Sequence, residues 1–250
     1  MKKNIIFSIS ILLTILFSFE ACNRIDENGF KTFGYEYFPL KTGNFNIYNV
    51  TDSIFSLSDP RATVKNYQVM ELVADTFTDM NKDKVFQIER YSRQDSLTSW
   101  NLDSVWTSRL MFAPGRQAYN KAVKTENNIA FVKLVFPVSN NLKWNGNQLN
   151  AQNPPDSINQ NNIYGTYKMV NVNKKYLKYD STLFVIQNND TVPNNQKWEK
   201  KTERYATNIG MIEKQKVYVE FDCPNGQCSG TNQITFGYKT KYTLYKHGNK

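Results

Sequence analysis

Three cysteines and a single histidine in 250 residues bound the chemistry open to this chain. Cys223 and Cys228 enclose Pro-Asn-Gly-Gln in "CPNGQC", and Asn225-Gly226 is a strong short hairpin signal. In an oxidising compartment this spacing reads as a structural disulfide closing a small loop. Redox catalysis would favour a Cys-x-x-Cys pair with its thiol pKa depressed at a helix N-terminus. A zinc site needs further ligands, and the one histidine, His247, lies almost at the C-terminus, so neither a metal nor a cofactor is expected. The same isolated histidine removes most Ser-His and Cys-His arrangements, and no Gly-x-Ser-x-Gly elbow occurs.

Carboxylates are the remaining candidates. Asp79, Asn81 and Asp83 are spaced like the first three ligands of a calcium loop. Lys84 stands where that loop needs Gly and Arg90 stands at its twelfth position, so a polar hairpin tip is expected instead. Glu199 with Glu203, or Asp95 with Asp103, are pairs of the kind glycoside hydrolysis uses. In a sheet carrying this many acids some pairing is inevitable. The chain is therefore read as non-enzymatic, with a glycan hydrolase as the lesser alternative.

Lys2 and Lys3, then an uncharged apolar stretch over residues 5–19 ended by Glu20, have the layout of an export signal. A membrane span takes roughly 20 apolar residues, and this stretch is shorter. An ordinary signal peptidase wants small residues at the third and first positions before the cut, and Phe19-Glu20-Ala21 supplies only one. Ala21-Cys22 instead fits a lipoprotein peptidase, which requires a cysteine whose sulfur receives a diacylglycerol. Acylation of Cys22 also leaves an even pair of thiols, Cys223 and Cys228. The expected organisation is a lipoprotein signal peptide over residues 1–21, a flexible tether over 22–34 and a single all-β domain over 35–250. The N-terminal lipid would hold the protein on a membrane, the outer membrane of a cell envelope, on its periplasmic or its surface side.

Net charge is +9, and trimming residues 1–21, which hold two Lys and one Glu, leaves it strongly positive. Anionic lipid headgroups or glycans suit such a surface; nucleic acid does not, because the chain is exported and carries no recognition motif. Tyr and Phe are abundant and Thr, Val and Ile recur in alternation, which is strand composition. "KNYQVMELVADTF" and "KVFQIERYSRQ" read as a hairpin around "TDMNKD"; in the second, Val85, Gln87, Glu89 and Tyr91 oppose Phe86, Ile88, Arg90 and Ser92, one face greasy and one wet. "SWNLDSVWTSRLMF" reads as a pair or a long bent strand anchored by Trp100, Leu102, Val105 and Trp106. "IAFVKLVFPV" reads as a buried strand ended by Pro137, and Phe236, Tyr238, Thr240, Tyr242 and Leu244 alternate along the last strand. Pro154-Pro155 marks a long loop or a boundary between two halves of one domain, and "KWEKKTERYA" continues the strand pattern within "NNQKWEKKTERYAT", the one stretch that could make a short helix. Roughly ten strands at this spacing predict a single large antiparallel curved sheet, a half-barrel or open barrel, with a β-sandwich as the alternative and at most one or two short helices.

"YFPLKTGNFNIYNV" and "ERYATNIGMIEKQ" carry a resemblance to uncharacterised Bacteroidota lipoproteins, which share a "PLK-x-G-N" segment soon after the lipidated cysteine and a "YA-x-x-I/V-G" segment near the end. The matching residues are Pro39, Leu40, Lys41, Gly43, Asn44 and Tyr48, then Tyr205, Ala206, Ile209 and Gly210. Asn46 stands where many relatives have Trp. The resemblance implies an envelope lipoprotein and assigns no catalytic residue. By fold analogy such chains resemble the half-barrel carriers and receptors of the Lol lipoprotein pathway, whose concave sheet shelters acyl chains. The expected function is a binding or interaction module, for a hydrophobic ligand or for envelope proteins, with an accessory subunit of a surface complex as the alternative.

Overall fold

The computed structural model describes residues 33–80, 82–112, 118–150, 166–189, 197–222 and 233–250. Cys22 and the leader, Asn81, the Pro154-Pro155 loop, and Cys223 and Cys228 lie outside the described residues. Gly34–Lys250 makes up one compact unit. It is all-β: one antiparallel sheet of twelve strands, nearly closed into a barrel with one unsealed seam. A single sheet sets the sandwich alternative aside.

The strands are β1 (Asn44–Ser56), β2 (Asp59–Thr78), β3 (Lys84–Arg93), β4 (Asn101–Phe112), β5 (Tyr119–Glu126), β6 (Ile129–Val135), β7 (Lys143–Asn145), β8 (Thr166–Tyr176), β9 (Tyr179–Asn189), β10 (Lys197–Ala206), β11 (Gly210–Phe221) and β12 (Ile234–Asn249). Their order is β6-β5-β4-β3-β2-β1-β12-β11-β10-β9-β8-β7, so two meanders are zipped together by the β1–β12 ladder. The seam falls between β6 and β7. It is stitched rather than laddered: Val132 N donates to Gly146 O at 2.9 Å, and Trp144 Nε1 donates to Val132 O at 2.8 Å. Asn150 Nδ2 adds a bond to Ala130 O at 2.7 Å.

Local chemistry explains the tight turns. Asn127 and Asn128, at φ 51° and 65°, form a two-residue turn joining Glu126 to Ile129, where the positive φ that asparagine tolerates matches the twist of the flanking strands. Register shifts interrupt most ladders, including β1–β12 at Ile47/Tyr48 and β10–β11 at Arg204/Tyr205. Such bulges increase local twist and curl one sheet toward closure. At Gly237, φ 119°, an added Cβ would meet the Tyr218 carbonyl oxygen, so only glycine fits where β12 presses on β11.

Three expectations are corrected. The short-helix alternative for "NNQKWEKKTERYAT" falls away over its described part and the strand pattern of "KWEKKTERYA" holds: Lys197–Ala206 is strand β10, laddered to both β9 and β11, and two ladders override a weak local propensity. The "SWNLDSVWTSRLMF" segment gives one strand, and Leu102 and Val105 are 55% and 52% exposed rather than anchors. Its tryptophans lie against cations instead, Trp100 with Arg93 at 4.2 Å and Trp106 with Arg90 at 5.3 Å. On β3 the division into a greasy and a wet face breaks down, because Val85 and Ile88 point to opposite faces and both are buried. The hairpin tip between β2 and β3 closes on itself: Asp79 Oδ1 accepts from Asp83 N at 2.9 Å and Oδ2 pairs with Arg109 at 2.7 Å.

The N-terminal residues 34–40 cross one end of the sheet. Tyr35–Tyr37 is a 3-10 turn. Tyr37 is fully buried among Leu134, Met169 and Leu183, and its hydroxyl lies 2.7 Å from both Asn173 Oδ1 and Ser181 Oγ. Asn208 N donates to Glu36 O at 2.7 Å. Gly34 has φ 83° and packs on Val138 so closely that a Cβ would clash.

Candidate functional site

Strand alternation sends every second side chain into the lumen, and several of these carry charge. Lys124 and Glu126 are two apart on β5, Lys133 follows on β6, Glu203 and Tyr205 lie on β10, and Lys214 on β11. In strand order β4, β3, β2, β1, β12 and β11 separate β5 from β10, so their contacts run across the lumen. Lys133 Nζ lies 2.9 Å from Glu126 Oε1 and 2.9 Å from Glu203 Oε1. Lys214 Nζ lies 3.3 Å from Glu126 Oε2 and 3.3 Å from Glu203 Oε1. Tyr205 donates its hydroxyl to Glu203 Oε2 at 2.6 Å. A separate pair, Lys124 Nζ with Glu71 Oε2 at 2.6 Å, stands beside this cluster.

Burial by itself would push the two carboxyls up. Lys133 and Lys214 outweigh it, holding Glu203 at about 2 and Glu126 well below the ordinary carboxylate range. Burial likewise opposes charge on the lysines, but the carboxylates raise both Lys133 and Lys214 above the ordinary lysine value. All four groups are therefore locked in their charged forms. Among the described residues no group of three or more His, Cys, Asp or Glu is placed to hold a metal ion.

Above these charges lies a cavity of about 230 Å³. Its floor includes Glu71, Lys124, Lys133 and Glu203, and its rim is built from Phe38, Pro39 and Leu40, from Asn46 and Tyr48 on β1, and from the Ile209-Gly210-Met211 turn. The two sequence motifs thus meet here. Asn46 Nδ2 donates to Ile209 O at 3.0 Å, and the Tyr48 hydroxyl donates to Met211 O at 3.0 Å. Gly210 takes φ 87°, and an added Cβ would stand 3.5 Å from Pro39 Cδ. Gly43, at φ 90°, immediately precedes β1. Asn46→Ala removes the bond to Ile209 and is expected to cost about 1 kcal/mol of stability, read as a lower urea midpoint with an unchanged slope.

The carboxylate pairs picked out in the sequence do not come together. Glu203 joins the lumenal cluster, whereas Glu199 is taken by Lys197 at 2.8 Å and by Asn188 at 3.1 Å. Asp95 caps its own turn through Leu97 N and Thr98 N, and Asp103 pairs with Arg90 at 3.0 Å. His247, near the C-terminus, lies within β12, where it pairs in register with Asn46 and lines the cavity. Sequence reasoning missed Glu126, Lys133 and Lys214. One signal was present, since Lys133 interrupts the otherwise apolar run "IAFVKLVF". Comparison of the chain with protein-family models and with curated proteins returned no match.

Proposed function

We propose that this is a lipid-anchored envelope lipoprotein, attached to the outer membrane through Cys22, whose barrel binds a small molecule in the lumen without chemical turnover. The cavity beside the charged cluster carries the reading, because it joins an apolar rim to an ionic floor. That lining favours a ligand with a short apolar part toward Phe38 and Ile209 and a polar group toward Glu71 and Lys124. Its size, below the roughly 300–1,000 Å³ of most small-molecule sites, favours a compact ligand over the full acyl chains that a Lol-type concave sheet shelters.

The locked charges support a non-enzymatic role. General acid or base work needs a pKa near the operating pH, and Lys133 and Lys214 hold Glu126 and Glu203 far below it. A disulfide between Cys223 and Cys228 belongs to the same reading of an oxidising compartment. Cys22→Ser should move the protein from the membrane to the soluble fraction. Organic extraction of the purified wild type, followed by mass spectrometry, should release a small amphiphilic molecule; an empty extract from protein isolated from its own envelope counts against the binding role. Exposed Leu102, Val105 and Phe112 on β4 favour a second reading, an accessory subunit of a surface complex, which crosslinking in intact cells would detect as reproducible protein partners.

A further inference from the structure

The floor of the cavity between Phe38 and Gly210 is charged, yet its charges cancel. Glu71, Lys124, Glu126, Lys133 and Glu203 line it, and Lys214 behind them bridges Glu126 and Glu203, so three carboxylates meet three ammoniums. Each of the six lies within 3.3 Å of an opposite charge. Neighbouring charges leave this balance in place. Arg90 pairs with Asp103 at 3.0 Å, Lys216 stands two residues beyond Lys214 and does not line the cavity, and His247 is exposed to solvent at the rim. A ligand with net charge would give up its water here without meeting a free counter-ion. Glu126 and Glu203 cannot compensate by taking up a proton, because Lys133 and Lys214 hold them ionised.

Hydrogen-bonding capacity on this lining is equally specific. Asn46 is spent on Ile209 O and the Tyr48 hydroxyl, Tyr48 on Met211 O, and Ser108 on Val123 O. Glu71 and Lys124 are the least buried of the six charges, with side chains 15% and 12% exposed. Lys124 Nζ spends one of its three donors on Glu71 Oε2 at 2.6 Å, and among the described residues Glu71 Oε1 accepts no hydrogen bond and is not sealed from solvent. The pair thus offers one donor and one acceptor side by side. A carboxylate can use only the donor and an ammonium only the acceptor, whereas a primary amide uses both through its carbonyl and its N–H. On the strength of the lumenal binding role above, on which this inference rests, we propose that the cavity selects an uncharged amphiphile. Its short apolar body lies against Phe38, Leu40 and Met211, and its amide-like head accepts from Lys124 and donates to Glu71 Oε1.

The test is calorimetric titration of the exhaustively dialysed, detergent-free full chain with hexanamide, hexanoate, hexylammonium and the zwitterion norleucine, which share a short alkyl body and differ in the head. Hexanamide should bind saturably, and each of the other three should bind at least about tenfold more weakly. Ile209→Trp, which fills the rim, should abolish hexanamide binding. Glu71→Gln leaves Lys124 without its counter-charge and should move the preference toward hexanoate by about tenfold. Lys124→Gln leaves Glu71 uncompensated and should move it toward hexylammonium by a similar factor. The wild-type ranking needs no variant, so it decides the matter even where a substituted floor fails to fold. Hexanoate, hexylammonium or norleucine binding as tightly as hexanamide to the wild type, and lost in Ile209→Trp, would overturn the uncharged head while leaving the lumenal binding role intact. No saturable binding of any of the four, or binding untouched by Ile209→Trp, would remove the lumenal site itself and this proposal with it.

Discussion

Lys133→Met is expected to destabilise the protein by about 3–5 kcal/mol, the usual consequence of removing one partner from a buried ion pair. Lys133 is 4% exposed and is the shortest link between Glu126 and Glu203. Without it two buried carboxylates face each other with Lys214 alone between them, at 3.3 Å from each. Urea unfolding should show a lower midpoint with little change in slope. Neutralising a carboxylate as well, in Lys133→Met/Glu203→Gln, should recover part of the loss, since the cost comes from uncompensated charge rather than lost volume. A Lys133→Met variant within about 1 kcal/mol of wild type would mean that water reaches the cluster and screens it. The same cluster sets the acid response. Glu126 and Glu203 have folded pKa values below their unfolded ones, so their contribution is fully present above about 4.5 and is lost as pH falls through the folded values, which for Glu203 is about 2. Thermal melts should therefore fall steeply below about pH 4, and less steeply in the double variant.

The second large effect is expected at Tyr37. Its ring is fully buried and anchors residues 34–40 across the end of the sheet. Tyr37→Ala should cost about 3–5 kcal/mol, as truncation of a buried aromatic usually does. Tyr37→Phe keeps the ring and loses only the hydroxyl contacts with Asn173 and Ser181, so it should cost about 1 kcal/mol. Because Phe38, Pro39 and Leu40 form one wall of the cavity, releasing this segment should also open the site. Hydrogen exchange in Tyr37→Ala should speed up over residues 34–40 and over the Ile209 turn, where Asn208 N donates to Glu36 O. Exchange confined to residues 34–40 would separate that segment from the cavity.

Strand content was legible because alternation has a period of two and because aromatic and β-branched residues favour a pleated surface; β12 shows this in its run from Phe236 to Leu244. Closure was not legible. It depends on which strands pair at long range, and the decisive β1–β12 ladder joins the first and last strands of the sheet in sequence. Local propensity left β10 open between strand and short helix, since Lys and Glu favour a helix in isolation but two ladders hold a strand. The ion cluster was hidden for a related reason. Glu126 and Lys133 are ordinary polar residues until curvature brings β5 and β6 against β10 and β11. Gly43 and Gly210, one in each motif of the resemblance, take left-handed φ values; that the motifs meet at one rim appears only in three dimensions.

Native mass spectrometry of the full chain isolated from its own envelope, wild type beside Ile209→Trp, tests the lumenal binding role most directly. Wild type should carry a small non-covalent adduct that Ile209→Trp, with its rim filled, lacks. Adduct-free wild type, or the same adduct on both proteins, would contradict a ligand seated between the Phe38–Leu40 wall and the Ile209 turn.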